Sequence, residues 1–154
     1  MTEEQLMAVA RDLEVSWPTW YRVIVLQLAE ASQGTHGRSL PGGFLYANPS
    51  QIIKDTLHYR RGDLSLYSET PQGLQQVDWP HSMVVVGNTG DGCITVDTAS
   101  EEALFYNIYK ENYTLQPFIR VTELADSPEA FARMLIEHDT ERASKRADRR
   151  RSRR

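Results

Sequence analysis

Met83-Val84-Val85-Val86-Gly87-Asn88-Thr89-Gly90-Asp91-Gly92-Cys93-Ile94-Thr95-Val96-Asp97 decides how this chain is read. Val and Ile are branched at Cβ, so they hold χ1 stiff and pack well on a pleated surface. Residues 83–86 and 94–96 therefore read as strands. Between them Gly87, Gly90 and Gly92 offer the positive φ that a tight reversal uses. The stretch is expected to be a β-hairpin in the middle of a domain. Its glycines are not a dinucleotide fingerprint, because their order differs and a strand, not a helix, follows.

Toward the N-terminus the period changes. Thr2 and Gln5 have capping-box spacing, and Leu6, Val9 and Leu13 then recur at helical intervals. Ser16 is expected to cap a second helix with Pro18 in its first turn. Trp17, Trp20, Tyr21, Ile24, Leu28 and Ala31 give that helix a wide apolar face, and it should stop near Gln33-Gly34. Residues 33–43 read as a loop, and 44–46 as a short strand. Asn48-Pro49 caps a third helix with Ile52, Ile53, Thr56 and Leu57, ending near Gly62. Residues 64–67 read as a strand, followed by a turn at Pro71-Gln72-Gly73.

Beyond the hairpin, residues 103–109 and 118–121 are two further strands, rich in aromatic and branched side chains. Ser127-Pro128-Glu129 opens a last helix, with Phe131, Met134, Leu135 and His138 on one face and His138 in its final turn. Helices, then a run of strands, then a helix argue for an α+β fold. Its sheet should be largely antiparallel, with about five to six strands packed against N-terminal helices and a C-terminal helix.

A length of 154 residues suits one domain with a real core. No window approaches the run of about 18 apolar residues that crosses a membrane, and the acidic start lacks the features of a secretory signal. Cys93 is the one cysteine, so no internal disulfide forms and a cytoplasmic location is expected. The net charge of −4 conceals a split. Of 17 Lys/Arg and 21 Asp/Glu, residues 139–154 hold 8 and 3, leaving 9 and 18 in residues 1–138. The expected organisation is thus one acidic domain over 1–138 and a basic tail over 139–154, with too few apolar side chains to pack and so expected to fray.

Three segments carry a resemblance to a known family. Trp17-Pro18-Thr19-Trp20-Tyr21 and the helix after it resemble the opening motif of the SUKH superfamily, a Leu-Pro pair followed by Tyr, with Trp17 here in place of Leu. Trp79-Pro80 through Asp97 resembles the central family signature: a Pro, an apolar strand, Gly, an acidic and Gly-bearing turn, and a strand ending in Asp. Leu104-Phe105-Tyr106 and Ser127-Pro128-Glu129-Ala130-Phe131 resemble the later strand and closing helix. The likeness spans residues 16–138; the Arg-rich tail lies outside it. The resemblance implies an α+β immunity protein that binds a cognate bacterial toxin domain, such as a nuclease acting in the cytoplasm, and occludes its active site without chemistry of its own. The family also includes scaffold-like members, and fold alone does not choose between these roles.

No catalytic, cofactor or metal motif stands out. His36, His58, His81 and His138 form no ligand pair at helical spacing, and Asp91 and Asp97 lack companion ligands. A Cys93–His81 nucleophile pair is weighed against a buried, inert thiol, which the apolar strand around Cys93 favours. The expected partner-binding residues are Asp63, Glu69, Asp78, Asp91, Asp97, Glu101 and Glu102. Singly each reads as a solvated surface charge. Together they form a negative face able to steer a basic toxin. Trp79, Tyr67 and Tyr106 are candidate anchors if exposed, and core residues otherwise. The basic tail has three readings: phosphate binding, folding back on the acidic body, or an inert solubilising end. The acidic body weighs against the first. The alternative function is accordingly a regulatory scaffold whose tail binds nucleic acid or a partner. The oligomeric state is left open.

Overall fold

Thr2 starts the first helix as its spacing predicts. Its hydroxyl accepts from the Gln5 N–H at 3.2 Å, and Gln5 Oε1 accepts from the Thr2 N–H at 2.9 Å. The computed structural model describes residues 1–32, 38–61 and 65–154, so His36, Asp63, Leu64 and the expected helix stops at Gly34 and Gly62 lie outside the described residues. The elements run α1 (Glu3–Leu13), α2 (Thr19–Ser32), β1 (Arg38–Leu40), β2 (Gly43–Leu45), α3 (Pro49–Arg60), β3 (Leu66–Thr70) and β4 (Gly73–Val77). They continue as β5 (Met83–Thr89), β6 (Gly92–Asp97), β7 (Leu104–Tyr109), β8 (Thr114–Arg120), α4 (Val121–Leu124) and α5 (Pro128–Arg151).

The fold is α+β. The described strands make one 8-stranded sheet in the order β1-β2-β5-β6-β7-β8-β3-β4. Every pairing is antiparallel except β3 with β8, which meet in parallel over Tyr67↔Thr114 and Ser68↔Leu115. Two strands exceed the sequence expectation. β1 lies inside the expected loop and is held by pairing with β2. β4 has no buried face to give it an alternating pattern. Val121, read as the end of a strand, instead opens α4.

The main core lies between one face of the sheet and α1, α2 and α5. Val84, Val86, Ile94, Val96, Phe105 and Ile119 meet Leu6, Val9 and Leu13 of α1, the aromatic face of α2, and Phe131, Ala132 and Leu135 of α5. Trp20 stands edge-on to Phe105 at 5.1 Å, and the Trp17 indole N–H donates to the Leu6 carbonyl at 2.8 Å. The opposite face carries a smaller cluster of Tyr59, Leu66, Val85, Cys93 and Ile108.

Two of the hairpin glycines matter for a reason other than the expected one. Neither Gly87, Gly90 nor Gly92 has positive φ; among the described glycines Gly42 (φ 87°) and Gly73 (φ 103°) do. A Cβ on Gly87 would lie 2.2 Å from the Phe44 carbonyl oxygen, and one on Gly92 2.1 Å from that of Ile108. These two let neighbouring strands approach. Gly90, in the turn, has open space around it.

Candidate functional site

The acidic residues expected to bind a partner fall on separate elements: Asp91 just before β6 and Asp97 at its end, Glu101 and Glu102 in the β6–β7 connection, and Glu69 and Asp78 on the β3–β4 hairpin, while Asp63 lies outside the described residues. Asp91 in the β5–β6 turn and Asp97 at the far end of β6 are about 20 Å apart, the length of a six-residue strand. Three of these carboxylates serve the fold. Asp97 Oδ1 accepts from the Ala99 N–H at 3.0 Å. Glu101 accepts from the Thr19 N–H at 3.1 and 3.3 Å, so it caps α2 from the β6–β7 connection where Ser16 was expected to do so. A negative group there also meets the positive end of the helix. Glu102 pairs with Arg120, which in turn lies 3.5 Å from Glu123.

Glu69 and Asp78 sit apart from these, on the β3–β4 hairpin. Glu69 is exposed opposite Leu74, and Asp78 directly follows β4. Among the described residues β4 is the last strand of the sheet, and all five of its residues are exposed. Leu74 is 57% exposed and Val77 37%. An edge strand presents unpaired N–H and C=O groups, and proteins commonly blunt such edges with charge or proline. Gly73-Leu74-Gln75-Gln76-Val77 contains neither.

Of the candidate anchors, Trp79 is packed rather than presented. It stacks on Tyr59 at 4.7 Å and 22°, and its indole N–H donates to the Met83 carbonyl at 3.2 Å. Tyr67 and Tyr106 are half-buried. His138 is exposed, and α5 runs past it to Arg151, so it is not in the last turn.

A cleft of about 260 Å³, which sequence reasoning did not find, opens between α3 and the second sheet face. Its lining includes Tyr46, Asp55, Tyr59, Cys93, Lys110 and Tyr113. The Tyr46 hydroxyl donates to Asp55 Oδ2 at 2.8 Å, and Gln51 Nε2 donates to Asp55 Oδ1 at 2.8 Å. Burial and the neighbouring Asp55 push the Tyr46 phenol up to about 12. Burial likewise lifts the Cys93 thiol to about 11, against the lowering effect of a hydrogen bond from Tyr59. Cys93 therefore keeps its proton at neutral pH, and the thiolate needed for attack is scarce. Nor is His81 beside it. Met83 pairs with Asp97 and Cys93 with Asn88, so His81 and Cys93 fall at opposite ends of the hairpin. His81 Nε2 donates instead to the Glu14 carbonyl at 3.1 Å. The cleft draws its residues from the β2–α3 connection, α3, β5 (Asn88), β6 and the turn after β7, whose separation in sequence leaves no local signal.

Among the described residues no cluster of His, Cys, Asp and Glu has the arrangement of a metal site, and no helix is long and apolar enough to cross a membrane. Comparison with family models, with curated proteins and with solved structures gives no match.

Proposed function

We propose that this chain is a binding protein of the SUKH immunity type, which neutralises a cognate, cytoplasm-acting toxin domain by covering its active site. The observation that carries this reading is the β4 edge, unpaired among the described residues and flanked by Glu69 and Asp78. An extended segment of a partner adds to such an edge through main-chain hydrogen bonds, while side chains such as Leu74 and Val77 supply contact area. A nuclease is basic where it holds phosphates. Carboxylates at the edge, within a domain of net charge about −9 over residues 1–138, steer a basic partner to it.

The test is stoichiometric inhibition. The tagged chain is used as bait in lysate of its source organism, and a captured toxin-like domain is assayed alone and with the chain in excess. Loss of toxin activity at one equivalent is expected, with the protection removed by Leu74→Lys together with Gln75→Lys, which places charge on the edge. A captured toxin that stays fully active in saturating excess overturns the reading.

A further inference from the structure

The basic tail is not a frayed end. α5 continues unbroken from its buried anchors Phe131, Ala132 and Leu135 to Arg151, and residues 140–151 are exposed along it. At 100° per residue, Arg142, Lys145, Arg146 and Arg149 fall on one stripe, rising about 10 Å along the axis. Glu141 and Asp148 fall to the side of that stripe. Arg142 donates to Ser39 Oγ at 3.4 Å and marks where the helix leaves the sheet.

We propose that residues 140–151 of α5 form a binding helix for double-stranded DNA, held by the phosphate backbone without sequence preference. Three observations choose this partner over an acidic protein. The segment offers no apolar side chain larger than Ala143 and Ala147, so it lacks the anchors that a protein interface is built around. Interfaces with DNA are instead polar and strongly positive. Its cations are Arg but for Lys145, and Arg engages phosphate through two parallel N–H groups. A helix about 10–12 Å across matches a B-form major groove of about 12 Å, whereas the major groove of duplex RNA is deep and narrow.

The acidic body does not prevent this. Arg149, Arg150 and Arg151 lie about 10 Å or more beyond Arg142 along the axis, and charge is screened over about 8 Å at physiological salt. Charge at the outer end of the stripe is therefore largely screened from groups near Arg142.

The test is fluorescence anisotropy of the full chain with a short labelled DNA duplex of mixed sequence. Four phosphate contacts give a slope of log K against log salt of about −3.6, a loss of roughly 10²-fold between about 50 and 200 mM salt. The variant Arg142→Gln, Lys145→Gln, Arg146→Gln, Arg149→Gln keeps good helix formers and is expected to lose binding with unchanged helix content. Glu141→Gln with Asp148→Gln is expected to tighten binding several-fold. The proposal is overturned if the native chain ignores DNA at low salt, if the quadruple variant binds as well as the native chain, or if polyglutamate or an RNA duplex binds more tightly than DNA. None of these outcomes bears on toxin inhibition at the β4 edge.

Discussion

Arg60 closes helix α1 from across the fold: its Nη1 donates to the carbonyl oxygen of Leu13 at 2.8 Å. Its Nη2 donates to the His81 carbonyl at 2.6 Å, and the His81 ring in turn donates to the carbonyl of Glu14. One guanidinium thus joins the C-terminal ends of α1 and α3 to the connection that leads into β5. A cation at a helix C-terminus also meets the negative end of its dipole. Arg60→Met is expected to cost about 1.5–3 kcal/mol, the range for hydrogen bonds to a charged group. Arg60→Lys recovers less than half, because one ammonium cannot reproduce the planar two-armed contact. Urea unfolding of the three proteins measures both differences.

What the sequence made legible was local. The β5–β6 hairpin and the caps at Thr2, Asn48 and Ser127 depend on residues within a few positions of one another, and all are present. What it hid depends on distant residues. Glu101 caps α2 from across 82 positions, and Arg60 reaches Leu13 across 47. Gly87 and Gly92 were visible as glycines, but strand proximity rather than backbone angle requires two of the hairpin's three. Glu101 and Glu102 are adjacent in sequence, yet one receives the Thr19 N–H at the start of α2 and the other pairs with Arg120, and nothing local distinguishes them. The cleft and the β4 edge had no pattern to read: one is assembled from separated elements, the other has no buried side.

Thr56 tests how α3 replaces a strand. Where β2 ends, the Val85 N–H donates to Thr56 Oγ1 at 3.0 Å, and both residues are fully buried. Thr56→Val keeps the shape and leaves that N–H without a partner. The expected loss is about 1–3 kcal/mol in chemical denaturation, with faster hydrogen exchange at the Val85 amide.

Gly92 and Gly90 are two residues apart and should respond oppositely to alanine. At Gly92 the new methyl would meet the backbone of Ile108, which cannot move without opening β6 from β7. Gly92→Ala is expected to destabilise by about 3 kcal/mol, the upper end for overpacking. Gly90→Ala meets nothing within 4 Å and should be within about 0.5 kcal/mol of the native protein. Paired thermal melts separate the two.

The Cys93 thiol gives the protein an alkaline limit. Its pKa rises from 9.0 to about 11 on folding because burial disfavours the thiolate. The unfolded chain therefore releases this proton first as pH rises. The stability that Cys93 contributes is complete below pH 9 and declines toward about pH 11, by about 2 kcal/mol. Tyr46, raised from 10.0 to about 12, extends the decline to higher pH in the same direction. Stability measured across pH 8 to 12 should fall steadily, and Cys93→Ala should flatten the part between 9 and 10, before the tyrosine contribution sets in. At neutral pH a thiol-specific reagent should label native Cys93 only as fast as the protein opens.

Charge reversal distinguishes carboxylates that face a partner from those that hold the fold. Glu69 and Asp78 are exposed beside the β4 edge, while Glu101 is engaged by the Thr19 N–H. If the toxin docks at β4, Glu69→Lys with Asp78→Lys leaves the unfolding midpoint nearly unchanged but slows association with the captured toxin by about tenfold or more. The deficit shrinks as salt rises, because steering acts through the long-range field. Glu101→Gln does the reverse: association is unaltered, and stability falls by about 0.5–1 kcal/mol through the weakened start of α2. Stopped-flow association and urea unfolding on the same variants give the two readouts. Should Glu101→Gln slow association while the Glu69 and Asp78 reversals leave it intact, the docking surface belongs at the β6–β7 connection instead.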